Sequence, residues 1–351
     1  AGGRHRPPGP PTATPDTRLT GLFDAYSDSG SGWTGADSTY SVRLPDGRTV
    51  WIFSDTFLGP VNPDGSRPRD TPFLNNSFVV QHGSRLSTVV GGSADEPTAL
   101  MPPSGDAWYW AGAGMYGAGT LDVTYHQFHR TGDGPLDFGW QRSVLARFDP
   151  HRLSLIDVTE LPSAVPNLES AAWLSRDGGH TYVYRVEDLG DTKYLHVARV
   201  PGDDLRRDWQ FYTGTGWSSD QTASARVMAG VSNEYSVTRF GRGYLLLTQD
   251  TTDRLSPRIV VYFADSPVGP FTDRTLVYTT PETGADGSYH NANIWTYNPH
   301  VHPELSRGDR LVLSYNVNSF DSDELYEDVS IYRPRFVDVR FGARGRAARG
   351  R

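Results

Sequence analysis

From Ala36 onward the chain alternates short runs of β-branched and aromatic residues with stops at Gly, Pro, Asp or Asn, and this rhythm persists almost to the end. Such runs read as strands, and the stops as turns. They fall into groups of about four. The first group is residues 36–42, 50–57, 77–81 and 84–90. The second is 108–111, 121–128, 143–148 and 153–158. The third is 170–174, 181–186, 194–200 and 209–212, and the fourth is 234–240, 244–249, 259–264 and 275–278. The fifth has only 296–302, 310–315 and 331–340. No amphipathic helix longer than a turn or two is expected.

Groups of four short strands repeated along one chain are the signature of a β-propeller, each group forming a blade. The fold class expected is all-β, a five-bladed β-propeller over residues 18–341. The fifth blade lacks its outer strand, which residues 18–23 would supply to close the ring. Two stacked β-sandwiches are the alternative, but no Pro/Gly linker divides the body. Residues 1–17 read as a flexible linker and 342–351 as a flexible basic tail.

Composition narrows the chemistry. Glycine and proline number 37 and 25, about 18 % of the 351 residues, against roughly 12 % on average. There is no cysteine, which excludes disulfides, thiolate metal sites and a thiol nucleophile. The net charge is −8, and the basic residues Arg344, Arg346, Arg349 and Arg351 gather in the tail, so the body is more acidic still and unsuited to nucleic acid. No apolar run approaches the roughly 18 residues of a membrane span. Of 33 basic residues only Lys193 is lysine, a bias that GC-rich genomes produce, so an actinobacterial source is expected. The Gly/Arg/Pro-rich start resembles the linker behind a removed signal peptide, and secretion is expected.

The most informative stretch is the first hairpin, Gly35 to Gly59. Pro45-Asp46-Gly47 suits a three-residue loop, a type I turn followed by Gly47 in the left-handed region. This closure pairs Leu44 with Arg48, and the same register sets Asp37 opposite Asp55. Cross-strand Cβ atoms lie about 4.5–5.5 Å apart, so the two carboxylates would split their pKa values. Two such carboxylates are the equipment of a glycosidase, and that separation suits retention of configuration. Spacing alone equally allows Asp37 to cap a loop and Asp55 to anchor a strand end.

Gly35-Ala36-Asp37 followed by Phe53-Ser54-Asp55-Thr56-Phe57 resembles the first-blade signature of five-bladed propeller glycosidases, in particular glycoside hydrolase family 183, the endo-D-arabinanases. Ser54 stands where that family usually has Gly. Asn75-Asn76-Ser77 resembles its next element, and the stretch from Tyr297 to Asn318 resembles a motif of related secreted propellers. The resemblance implies Asp37 and Asp55 as nucleophile and acid/base, with a furanosidic polymer such as D-arabinan as substrate. Related arabinanase-like propellers carry acids on several inner strands. Glu169 and Glu234 are therefore further catalytic candidates, while Glu304 ends the fifth inner strand.

Trp108 is expected in the core. Trp110 and Tyr116, in a Gly-rich stretch read as a loop, are expected to stack on sugar rings. Asn76, His290, Asn291, Asn298, His300 and His302 are candidate substrate contacts. His300 and His302 share one strand face, and polar channel filling is preferred there to a metal site. Asp321, Asp323, Glu324, Glu327 and Asp328 read as a solvated loop. No cofactor and no metal are expected. The partner expected is a carbohydrate polymer or oligosaccharide bound by a monomer. A non-catalytic, lectin-like propeller and an exo-glycosidase or transglycosylase acting on another furanoside are the alternatives.

Overall fold

Five antiparallel sheets radiate from a common axis in the computed structural model, which describes residues 7–343. Blade one is built of Gly35–Arg43, Thr49–Phe57, Ser77–His82 and Arg85–Val89. Blade two has Ala107–Gly117, Thr120–Arg130, Phe138–Phe148 and Leu155–Glu160. Blade three starts with Leu168–Asp177, His180–Asp188 and Lys193–Pro201. Blade four comprises Ser236–Phe240, Gly243–Gln249, Arg258–Ala264 and Thr272–Thr279. Blade five comprises Ile294–Val301, Arg310–Ser319 and Arg335–Phe341. The first strand of each blade is innermost, and neighbouring blades meet there. The five-bladed propeller is thus the observed fold. Arg4, Arg6 and the basic tail from Arg344 lie outside the described residues.

The ring closes differently from the expectation. Residues 18–23 are not a strand. Pro11–Pro15 forms the outer strand of blade five, with Pro11 opposite Phe341 and Pro15 opposite Val337. Proline is tolerated there because an edge strand leaves one row of N–H positions unused. Residues 11–15 of the expected linker are therefore part of the sheet. The chain then enters a helix, Thr17–Asp28, where the Asp16 carboxylate accepts from the Leu19 N–H at 3.0 Å. Leu19, Phe23 and Ser27, four residues apart, are its buried stripe. Phe23 packs edge-on to Trp33 and Trp51 at centroid distances of 5.5 and 5.2 Å, and meets Phe336 at 5.4 Å. The helix therefore seals the junction between blades one and five.

The core runs between the sheets. One large cluster spans blades one to four and includes Ile52, Phe78, Tyr125, Phe148, Val183 and Leu246. A second joins blades four and five through Leu245, Val261, Leu313 and Val337. Among the described residues no helix is long and apolar enough to cross a membrane.

The first hairpin closes as expected. The Leu44 N–H donates to the Arg48 carbonyl at 2.8 Å, and Gly47 has φ of +92°. Removing residues 1–16 takes away the five-residue outer strand and bares the edge at Val337, Val339 and Phe341. At about 1 kcal/mol per lost ladder bond, the truncated chain should melt about 5 °C lower. Differential scanning calorimetry checks this, and an unchanged melting temperature would show the strand to be dispensable.

Candidate active site

The inner strands all begin at one end of the channel, and that end gathers the acids. Asp37 is the third residue of blade one's inner strand, Glu169 the second of blade three's, and Glu234 lies two residues before blade four's. Asp55 arrives on the neighbouring strand of blade one. Gly35 precedes Asp37 where a Cβ would come within 2.6 Å of the Tyr332 carbonyl oxygen, so only glycine lets the last blade approach this closely.

Local irregularity shapes the acid pair. The register holds from Arg43 opposite Thr49 to Tyr40 opposite Ile52, slips at Ser38, and recovers with Ala36 opposite Thr56. Ser38 and Thr39 take φ of +69° and +71°, an uncommon backbone state for non-glycine residues. The two slips cancel, so Asp37 and Asp55 still face one another. Both are half-buried.

Asp37 and Asp55 are held in contrasting ways. One Asp37 oxygen, Oδ2, accepts from the hydroxyls of Tyr297 at 2.8 Å and Tyr332 at 3.0 Å. The other, Oδ1, is buried without a partner. Burial raises the Asp37 carboxyl, and the two hydroxyls oppose the rise. Asp55 Oδ1 accepts from the Trp110 indole N–H at 2.7 Å and from Asn75 at 3.3 Å. Burial raises Asp55 too, and the Asp37 charge beside it raises it further. The pair titrates jointly: each carboxylate takes two protein donors, and Asp37, raised to about 6 against about 8 for Asp55, is the member that ionises first.

Glu169 and Glu234 face the same space. Burial, then the charge of Asp188, pushes Glu169 up to about 8. Burial and then Asp37 drive Glu234 well above the ordinary carboxyl range. Both Glu234 oxygens are buried without a hydrogen-bond partner. The fully buried His300 ring lies with Nε2 3.9 Å from Glu234 Oε1. Burial lowers His300 to about 3, so it is neutral and the contact is not an ion pair. Tyr40 stacks on His300 at 4.3 Å, and Trp173 lies 6.1 Å away, together flooring the chamber.

Several expected contacts fall elsewhere. Asn76 is wholly buried, clamping Met101 and Tyr109 through its amide, while its neighbour Asn75 reaches Asp55. Tyr116 is not on a loop: residues 107–117 form one inner strand. Six residues from Trp110, at about 3.3 Å each, Tyr116 lies at the channel's far end. Trp108 is half-exposed and packs on Trp110 at 5.5 Å rather than in the core.

In the last blade, His290 is exposed and does not join His300. Asn291 is engaged by Glu324 and the Asn293 N–H. Asn298 sits at a bulge, with φ of +56°. His302 bonds to Ser41 and Ser314 toward the far end, where Ser41 also donates to Glu304. The acidic loop is in part a helix, Ser322–Glu327, capped by Asp321. Tyr297, Tyr332 and Asn75 were not singled out from sequence. Tyr297, which alternates with Trp295 on an inner strand, and Asn75, within Asn75-Asn76-Ser77, carry sequence signals; Tyr332 carries none.

Because the tyrosine hydroxyls lower Asp37, removing one must raise it. Tyr332→Phe should lift the Asp37 titration by about one pH unit. Carboxyl-carbon NMR of aspartate-labelled protein reads the shift, and an unmoved titration would mean that the hydroxyl does not stabilise the anion.

The architecture recurs in solved structures. A protein of Bacteroides ovatus ATCC 8483, provisionally described as a hydrolase, superposes with TM-score 0.79 at 22 % identity, covering 94 % of this chain and 90 % of its own. An α-L-arabinofuranosidase of Podospora anserina, solved with cellotriose, reaches 0.51 at 11 % identity, covering 90 % and 93 %. A glycoside hydrolase family 43 enzyme of Xanthomonas citri, solved with xylotriose, reaches 0.50 at 14 %, covering 94 % and 95 %. At these identities the likeness is one of fold. No curated protein matches the sequence significantly. A family model does match, over residues 21–341, and the chain belongs to the family described as domain of unknown function DUF5005.

Proposed function

We propose that the protein is a secreted glycoside hydrolase acting on a furanosidic polysaccharide of the D-arabinan type. The observation that carries hydrolysis is the Asp37 carboxylate held by two tyrosine hydroxyls beside carboxyls that burial pushes upward. Glycosidic cleavage needs one carboxylate as base or nucleophile and one carboxylic acid to protonate the leaving oxygen. Family 43 enzymes on the same fold, one of them bound to xylotriose, support a carbohydrate substrate. The first-blade resemblance supports the furanosidic choice and, with the Gly/Pro-rich start, secretion.

Asp37 is the base or nucleophile in this reading. Two carboxyls raised by burial compete for the acid role. Asp55 stands on the same hairpin, with Oδ1 already accepting two N–H donors, which leaves Oδ2 to carry a proton. Glu234 belongs to blade four, and neither of its oxygens is engaged. Donor and base must flank the scissile bond, which favours the carboxyl on the other blade.

Purified protein incubated with D-arabinan, L-arabinan and fructan should release sugars from one of them. Asp37→Asn should lower turnover roughly a thousandfold. An aryl furanoside, whose leaving group needs no proton, identifies the acid: the donor's variant keeps activity on it while losing the polysaccharide. Asp55→Asn and Glu234→Gln are the two variants to compare. A folded parent that binds glycan and releases nothing would overturn hydrolysis in favour of a lectin-like module.

A further inference from the structure

An aromatic ramp leads out of the acid chamber. Trp295 and Tyr297 alternate on blade five's inner strand and so share a face. Tyr297 is the residue whose hydroxyl reaches Asp37. The Trp295 ring lies 4.1 Å from that of Tyr297, at 32°. Phe320 then stacks on Trp295 at 5.5 Å and 19°. Phe320 is 59 % exposed, a large apolar ring turned to solvent.

The outer end of this ramp is fixed rather than loose. The Phe320 N–H donates to the Asn293 carbonyl at 3.0 Å. Glu324, on the short helix after Phe320, accepts from the side-chain amides of both Asn291 and Asn293. The loop before Trp295 and the turn bearing Phe320 are therefore tied together. A ring held in place this way loses little entropy when it binds, and an exposed apolar face beside polar chemistry marks a contact site. The apolar C–H face of a sugar ring is the partner that fits, because the ramp is continuous with the carboxylates.

We propose that Phe320, backed by Trp295, is a binding subsite for a second sugar ring of an oligomeric glycan, beyond the ring at Asp37. The ligand is a chain of sugars rather than an isolated glycoside. This rests on the reading of the Asp37 end as a glycan site.

The test is calorimetric titration of Asp37→Asn protein, whose turnover is about a thousandfold slower, with arabino- and xylo-oligosaccharides of increasing length. Affinity should rise from monosaccharide to oligomer. Adding Phe320→Ala should weaken the oligomer by about five- to tenfold and leave the monosaccharide unchanged, while Phe320→Tyr should retain parental affinity. Equal affinity for all lengths, or an oligomer indifferent to Phe320→Ala, would overturn the subsite. Length-dependent binding lost in Phe320→Ala, with no product from the parent, would uphold the subsite and overturn hydrolysis. Product formation with no effect of Phe320 would do the reverse, and binding to none of these glycans would overturn both.

Discussion

The seam between the first and last blades is the contact on which the rest of the structure depends. It is unusually polar. Along one inner strand, Asp37 takes the hydroxyls of Tyr297 and Tyr332, Thr39 Oγ1 accepts from Asn316 at 2.9 Å, Tyr40 stacks on His300, and Ser41 bonds to His302. The other seams combine single polar bonds, such as Asp55 to Trp110 and the Tyr235 hydroxyl to the Arg185 carbonyl, with a large apolar cluster that spans blades one to four. A buried polar seam is costly unless its members are paired in one arrangement, and so it specifies register where an apolar one tolerates sliding. The N-terminal strand and the helix behind it hold this seam shut from outside. Closing the ring and building the acid chamber are therefore one event: Asp37 has its tyrosine donors only when blade five has docked.

The electrostatics follow from that enclosure. Burial desolvates Asp37, Asp55 and Glu234, and the charge of Asp37 raises the cost of ionising the other two. Arginine is abundant elsewhere on the surface, but what opposes the rise at Asp37 is neutral hydroxyl donors, not a cation. An arginine would fix Asp37 as a permanent anion. Hydroxyls stabilise the anion while leaving it within reach of a proton, which is the condition a base or nucleophile must meet.

Much of the fold was legible in the sequence because blade strands announce themselves by alternation and turn residues. The hairpin register followed from Pro45-Asp46-Gly47 alone, and it set Asp37 against Asp55. What failed has local causes. Pro11–Pro15 looks like a linker because proline breaks central strands, yet an edge strand accepts it. The helix Thr17–Asp28 was hidden by Gly21 and by an apolar stripe of few residues. Gly112 and Gly114 suggested a loop where the inner strand needs small residues, since a Cβ on Gly112 would come within 2.7 Å of the Ala171 carbonyl oxygen. Asn75 and Asn76 sit side by side in the bend before Ser77–His82, where one turns out to Asp55 and the other in to Met101 and Tyr109, a difference that spacing does not reveal. The compensating slips at Ser38 and Thr39 carry no sequence signal, because neither is a residue that favours positive φ.

The floor beneath the acids limits how a chain of sugars can lie. Tyr40, His300 and Trp173 pack together beside Glu234, and the Tyr40 hydroxyl donates to the Ala172 carbonyl at 2.9 Å, tying this cluster to blade three. A separate cavity of about 190 Å³, lined in part by Ser41, Arg43 and Glu304, lies on the far side. On the proposed reading, a glycan chain meets this cluster at the acid end and lies across that end or places one terminus against it. The open end has aromatic walls on two sides, Trp108 and Trp110 on blade two and Trp295 with Phe320 on blade five, and a different carboxylate touches each: Asp55 through the Trp110 N–H, Asp37 through Tyr297. On the proposed reading, acids flanked by aromatic residues on two blades suit a chain lying across that end, since a terminus docked end-on would need only one flank.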